Sequence, residues 1–185
     1  MTLYPPFGKQ GLGTLLTGLK KPKRKVFISY HHEMDQSQYN LFSRYFSDTL
    51  ELFYDNSLER LLDSTDAEYL NRAIREEHVF GTSLTIVLCG AETYKRRWID
   101  WEIHATLYYK HGLLGIALPT CARSPDKKCI VSQRLYENIQ SGYAVWMQWT
   151  QDANILNAGI EEAVRRSSQT SLITNSAPKM KKSLP

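Results

Sequence analysis

The chain has 185 residues, room for one domain and its tails, with 42% hydrophobic and 23% charged residues, an ordinary globular balance. Its longest apolar runs, Leu84–Cys89 and Leu113–Leu118, are far shorter than the roughly 20 residues of a membrane helix, and the N-terminus lacks the apolar stretch and cleavage site of a signal peptide. The net charge of +4 conceals a split: residues 1–25 and 165–185 carry six and five Lys/Arg and no acid, which leaves 12 Lys/Arg against 19 Asp/Glu in 26–164, a net of −7. An acidic body with basic tails argues against nucleic-acid binding by the body.

Three cysteines (Cys89, Cys121, Cys129) form neither a disulfide framework nor a CxxC knuckle, so reduced thiols in a cytoplasm and no metal site are expected.

Residues 1–24, rich in Gly, Pro and Lys, read as an irregular basic extension, although Leu12, Leu15, Leu16 and Leu19 sit at helical spacing. Gly11-Leu12-Gly13 follows no strand and lacks a correctly placed third glycine, which excludes a dinucleotide loop. Lys25 to Tyr30 reads as the first strand, on the β-propensity of Val26, Phe27 and Ile28. A polar loop over His31 to Gln36 is followed by a helix over about 37–50, with Leu41, Tyr45, Phe46 and Thr49 on one face. Leu52 to Tyr54 is a second strand, 55–65 a polar loop, and 66–78 a helix capped at Ser64 or Thr65. Ser83 to Cys89 is continuously apolar, as a central parallel strand requires. A helix over Trp98 to Lys110 ends near Gly112, Leu113 to Leu118 is the fourth strand, and 119–141 is a long loop with one short helix. Ala144 to Trp149 makes a fifth strand, and Asp152 caps a last helix to about Arg166. The Ser/Thr/Lys-rich remainder, 167–185, reads as a disordered basic tail.

Strands alternating with helices give an α/β domain over 25–166, with a mainly parallel five-stranded sheet and helices on both faces. Ligands of such sheets sit beyond the carboxyl ends of the strands, so the loops 30–37, 55–65 and 89–98 should converge on one edge. On the 98–110 helix, Ile99, Ile103 and Leu107 repeat toward the sheet, while Trp98, Glu102, Ala105 and Tyr109 form the adjacent face. By spacing alone Glu102 is either a first-turn acid favoured by the helix dipole or a site carboxylate. Lys95, Arg96 and Arg97 are either a solvated basic turn or phosphate contacts. His104 and Trp101 point away from Glu102; His104 reads as structural and Trp101 as a packing or interface residue.

Three blocks carry a family resemblance. Val26-Phe27-Ile28-Ser29-Tyr30 resembles the opening strand of TIR domains, and Phe53-Tyr54-Asp55-Asn56-Ser57 their second strand and following loop. Arg97-Trp98-Ile99-Asp100-Trp101-Glu102-Ile103 resembles the WxxxE helix of NAD-cleaving TIR domains. The three fit in order and spacing, and His31 directly after the first strand, Asp55 followed by Ser57, and Arg96-Arg97-Trp98 are similar to the TIR-like sensor subfamily of the bacterial Thoeris anti-phage system. The likeness covers about 26–118 well and 119–166 weakly.

The resemblance implies a flavodoxin-like TIR fold and an NAD nucleosidase or ADP-ribosyl cyclase activity with Glu102 as the catalytic residue. It implies substrate contacts from Ser29, Tyr30, His31, Asp55, Ser57 and Trp98, with NAD as substrate and no cofactor or metal. It further implies a homo-oligomer, a phage-derived trigger, and a cyclic or conjugated nucleotide product that diffuses to a separate effector protein in the cytoplasm, without membrane contact. A single carboxylate can suffice, because glycosidases need a second one to protonate an alkoxide, whereas NAD expels neutral nicotinamide from a pyridinium. Two other readings remain: a non-enzymatic TIR interaction module, and an enzyme resembling nucleoside deoxyribosyltransferases, which also place a glutamate at a ribosyl centre.

Overall fold

The computed structural model describes residues 23–53, 79 and 81–184, with Phe53 described by its backbone alone. Five strands, β1 (Arg24–Ser29), β2 (Leu50–Phe53), β3 (Leu84–Cys89), β4 (Gly112–Ala117) and β5 (Val145–Gln148), form one sheet of order β2-β1-β3-β4-β5. Every pairing is parallel, with Ile28 beside Ile86, Ser29 beside Val87 and Ile116 beside Met147. The chain runs outward from β1 to β2 and returns on the other side of β1 to β3. The β1–β3 junction is therefore the switch point, where the carboxyl ends open a crevice. The fold is the expected flavodoxin-like α/β sheet.

Four described helices cover the sheet: α1 (His32–Phe46), α2 (Arg97–Tyr108), α3 (Gln133–Gln140) and α4 (Ala153–Arg166). Alternation along the strands decides which face each side chain joins. Val26, Ile28 and Tyr30, with Leu84, Ile86, Leu88, Leu114 and Ile116, pack under α1 and α4 through Tyr39, Phe42, Phe46, Leu156 and Ile160. Val87, Leu113 and Ala117 instead meet Ile99, Ile103 and Leu107 of α2 and Leu135 of α3. Phe27 packs on the same side against Trp101 and Ala105. β3 and β4 are buried along their whole length, which is why their sequences are almost wholly apolar, with Thr85 the one polar side chain and its hydroxyl bonded to Thr106.

The first helix ends at Phe46 and not near Leu50, which instead opens β2 two residues before the expected Leu52. Two other boundaries differ from expectation for identifiable reasons. α1 begins five residues early, because the His31 side chain caps it by accepting from the Met34 N–H. α2 ends not at Gly112 but in a Schellman motif at Lys110, which takes the left-handed conformation (φ 59°). There the His111 N–H bonds the Thr106 carbonyl and the Lys110 N–H that of Leu107. Gly112 serves β4: a Cβ there would lie 2.9 Å from the Ala163 carbonyl oxygen of α4. Asp152 caps α4 as expected, accepting from the Asn154 and Ile155 N–H groups.

The largest difference lies at the C-terminus. Where composition suggests a disordered tail, a 3-10 turn (Thr170–Leu172) leads into an extended segment laid over α3 and the start of α2. The Thr174 N–H and carbonyl both bond the Asn138 side chain, the Met180 N–H bonds Asp100, and the Leu184 N–H bonds the Lys95 carbonyl. Local composition cannot reveal such order, because the partners stand 36 to 89 positions away in sequence. No described helix is long and apolar enough to cross a membrane. The expected helix over 66–78, the 55–65 loop and the extension before Lys23 lie outside the described residues.

Candidate active site at the carboxyl edge of the sheet

β1 ends with Ser29 facing α2, since it is one residue out of phase with Ile28 and Tyr30. α2 brings Glu102 to meet it from one turn inside its N-terminus. The Ser29 hydroxyl donates to Glu102 Oε2 at 2.5 Å, and both residues are buried, at 1% and 3% exposure. α2 itself is fixed from beneath: Ile99, Ile103 and Leu107 are in the core, and the Thr106 hydroxyl bonds both the Glu102 carbonyl and Thr85 of β3. The WxxxE spacing puts Trp98 one turn before Glu102 on the same face.

At the N-termini of α1 and α2, three buried polar atoms lack a hydrogen-bond partner among the described residues: His31 Nε2, Arg96 Nε and Trp98 Nε1. They belong to one cluster. The His31 and Trp98 rings meet edge-on at 6.3 Å, and the Arg96 guanidinium carbon lies 5.9 Å from the Trp98 ring centre. His31 Nδ1 accepts from the Met34 N–H, so the ring proton of neutral His31 sits on Nε2. Burial, and then the Arg96 charge, hold its pKa below the usual histidine value. All three orphaned atoms are thus donors. Each unmatched buried donor costs about 1–3 kcal/mol, so together they favour an acceptor-rich ligand.

The basic residues of the loop also have partners: Lys95 and Arg96 pair with Glu92 at 3.0 and 3.3 Å, and Arg97 Nη1 donates to the Lys181 carbonyl. Tyr30 is not brought to this cluster. Its ring stacks on Tyr39 at 4.5 Å on the α1 face, and its hydroxyl donates to Gln36. Asp55 and Ser57 lie outside the described residues. Trp101 behaves as a packing residue, with its indole N–H bonded to the Met180 carbonyl.

Two residues escaped the sequence reading. Asp35, 1% exposed in the first turn of α1, accepts from the Thr93 and Thr120 hydroxyls at 3.2 and 3.4 Å, and burial pushes its carboxyl pKa up. It reaches the carboxyl ends of β3 and β4 because Gly90 has no side chain; a Cβ there would overlap the Asp35 carboxylate. Starting α1 at His31 would have exposed it, since Asp35 is then one turn inside the helix at the sheet edge. Arg134 of α3 is the second. It is 1% exposed and pairs with Asp100 of α2 at 2.9 Å, and no local pattern announces that contact.

Taken together, β1, the β3 loop and α2 gather at the switch point a buried carboxylate with its hydroxyl donor, an indole wall and a cluster of unmatched donors. The unmatched donors suit a polar, acceptor-rich ligand. No curated protein matches the chain. Residues 27–123, just over half of it and including every described residue of this cluster, match the family described as the TIR-like domain of the Thoeris protein ThsB. The chain belongs to that family.

Proposed function

We propose that the protein cleaves the N-glycosidic bond of NAD and releases nicotinamide, with Glu102 as the catalytic carboxylate. The observation that carries this reading is the buried Ser29–Glu102 pair at the switch point. Family membership supports a role in anti-phage defence.

In the proposed step the C1′–N bond breaks heterolytically. Its electron pair goes to the ring nitrogen, so the pyridinium leaves as neutral nicotinamide and no general acid is required. The ribose carbon acquires oxocarbenium character, which the Glu102 carboxylate stabilises while binding the ribose hydroxyls. The Ser29 hydroxyl holds one carboxylate oxygen and so fixes its aim. Trp98 walls the pocket, and His31 Nε2–H with Arg96 supplies donors to the acceptor-rich remainder of the dinucleotide. Asp55 and Ser57 are proposed to complete the wall from the loop after β2. A nucleophile then takes the ribosyl carbon and loses its proton: water gives ADP-ribose, an internal or added nucleophile a cyclic or conjugated nucleotide. In this reading the product diffuses through the cytoplasm to a separate effector, and a homo-oligomer completes the pocket.

The test is to incubate the purified protein with NAD, with and without a phage-infected lysate, and to identify products by mass spectrometry. Nicotinamide release that disappears in Glu102→Gln is expected. No release under either condition, or full activity in the variant, overturns the reading.

A further inference from the structure

Away from Glu102, a cavity of about 330 Å³ opens between α3, the outer strand β5 and the 123–129 turn. That volume is at the lower end of small-molecule sites, matching one nucleotide and not two. Its wall is basic: Arg123, Lys127 and Lys128 line it, and no Asp or Glu does. This contrasts with the body of the chain, where acids outnumber bases. Among the described residues none of the three cations is paired with a carboxylate.

The turn that presents them is closed by backbone bonds, Ser124 N–H to the Lys128 carbonyl and Lys127 N–H to the Ser124 carbonyl, both 2.8 Å. Arg123 bridges to the Lys127 carbonyl and pairs in register with Cys129. The closure holds Lys127 at φ 61°, a conformation glycine adopts without strain. The turn thereby presents Lys127 from a left-handed position on the cavity rim.

The floor is aromatic. Trp146 of β5 lies over Gly115 of β4, where a Cβ would come within 2.7 Å of the indole. The glycine lets the ring lie against the strand and leaves it partly exposed as a platform. Tyr136 of α3 flanks it, and Gln148, the last residue of β5, adds an amide that both donates and accepts.

A flat stacking surface, an amide and three unneutralised cations match a planar heterocycle joined to a phosphate. We propose that this cavity binds a nucleoside monophosphate, stacked on Trp146 with its phosphate against Arg123, Lys127 and Lys128. The site shares no residue with the Glu102 cluster, so the inference stands whether or not NAD is the substrate there.

Calorimetric titration of the full chain with AMP, adenosine and ribose 5-phosphate tests it. AMP should bind one per chain, and each fragment at least tenfold more weakly. Lys127→Gly removes a charge and relieves the backbone, so it should weaken AMP about fivefold without lowering the melting temperature. Trp146→Leu should weaken AMP and adenosine alike, whereas Glu102→Gln should leave AMP affinity unchanged. The proposal is overturned if AMP fails to bind, if Lys127→Gly binds it as tightly as the parent, if Glu102→Gln abolishes binding, or if an oligonucleotide binds where AMP does not.

Discussion

Asp100 and Glu102 stand two residues apart on one helix, both buried, yet their surroundings differ in kind. Asp100 faces α3 and the C-terminal segment. There the Arg134 guanidinium bonds both its oxygens, at 2.9 and 3.4 Å, and the Met180 N–H adds a third bond at 2.9 Å. Arg134 in turn gives its remaining N–H groups to Asn175, Ala177 and Pro178. That carboxylate is matched in charge and in hydrogen bonds, and it has nothing left to offer a ligand. Glu102 turns toward the carboxyl end of β1, where it takes the Ser29 hydroxyl, and the unmatched donors His31 Nε2 and Trp98 Nε1 belong to the same sheet edge. A helix turns about 100° per residue, so a step of two carries one acid to the α3 side and the other to the end of β1. The saturated pair also anchors the start of α2, the same stretch from which Glu102 projects.

Breaking the saturated side should have the largest effect. Asp100→Ala leaves Arg134 buried without its counter-charge, a loss of about 3–5 kcal/mol. At roughly 2–4 °C per kcal/mol for a chain of this size, the melting temperature should fall by about 6–20 °C. Residues 174–184 should become open to protease at the same time. An unchanged melting temperature would mean that the pair does not hold the segment. Glu102→Gln should do the reverse. It removes the proposed catalytic charge, so nicotinamide release should fall by about 10²–10³-fold while the melting temperature moves by only a few degrees. If both variants lose stability equally, the contrast between the two acids is not functional.

Ser29→Ala sharpens the comparison from the Glu102 side. It deletes one donor to the carboxylate and leaves the rest of α2 in place. Release should drop about tenfold, through the rate constant more than the Michaelis constant, because a hydrogen bond to a charged group contributes about 1.5–3 kcal/mol and only part of it is realised in the transition state. Full activity in this variant would show that the helix alone positions the carboxylate.

How much of this was legible in the sequence depends on the range of the interaction that fixes each feature. The strands were legible because a parallel sheet buries both faces and writes nearly continuous apolar runs, as in β3 and β4. Glu102 was legible as a residue beside the core stripe, and its pairing with the family's WxxxE block singled it out. Asp35 was not, because the cap that starts α1 is a histidine, an uncommon choice against the usual Ser, Thr, Asp and Asn. Arg134 and the C-terminal segment were not either. Their order comes from contacts with Asp100, Trp101 and Asn138, and no periodicity within 174–184 encodes it. Tyr30 shows the same limit from the other direction. It adjoins Ser29 in the family motif, but alternation along β1 turns it to the opposite face, where it stacks on Tyr39.

The smallest effect concerns His31, which joins the two sides of the site by capping α1 with one nitrogen and presenting the other toward Trp98. Its pKa is lowered, first by burial and then by Arg96, so the folded protein favours the neutral ring. Below the ordinary histidine value of about 6.5 the unfolded chain takes up a proton that the folded chain refuses. Stability should therefore decline as pH falls from about 6.5 toward the lowered folded value, and level off below it. His111, also lowered by burial, adds to the same slope. Asp35 works in the opposite sense: its raised pKa makes the folded state favour the protonated acid, so its contribution diminishes as pH rises above the ordinary aspartate range. Glu92, lowered by Lys95, gives up its contribution only as pH falls through the carboxylate range, below the histidine window. Urea unfolding at pH 5, 6 and 7.5 isolates His31, because His31→Gln should flatten part of the slope and leave the share of His111. A variant with the parent's full slope would place the titration elsewhere and leave His31 as a cap alone.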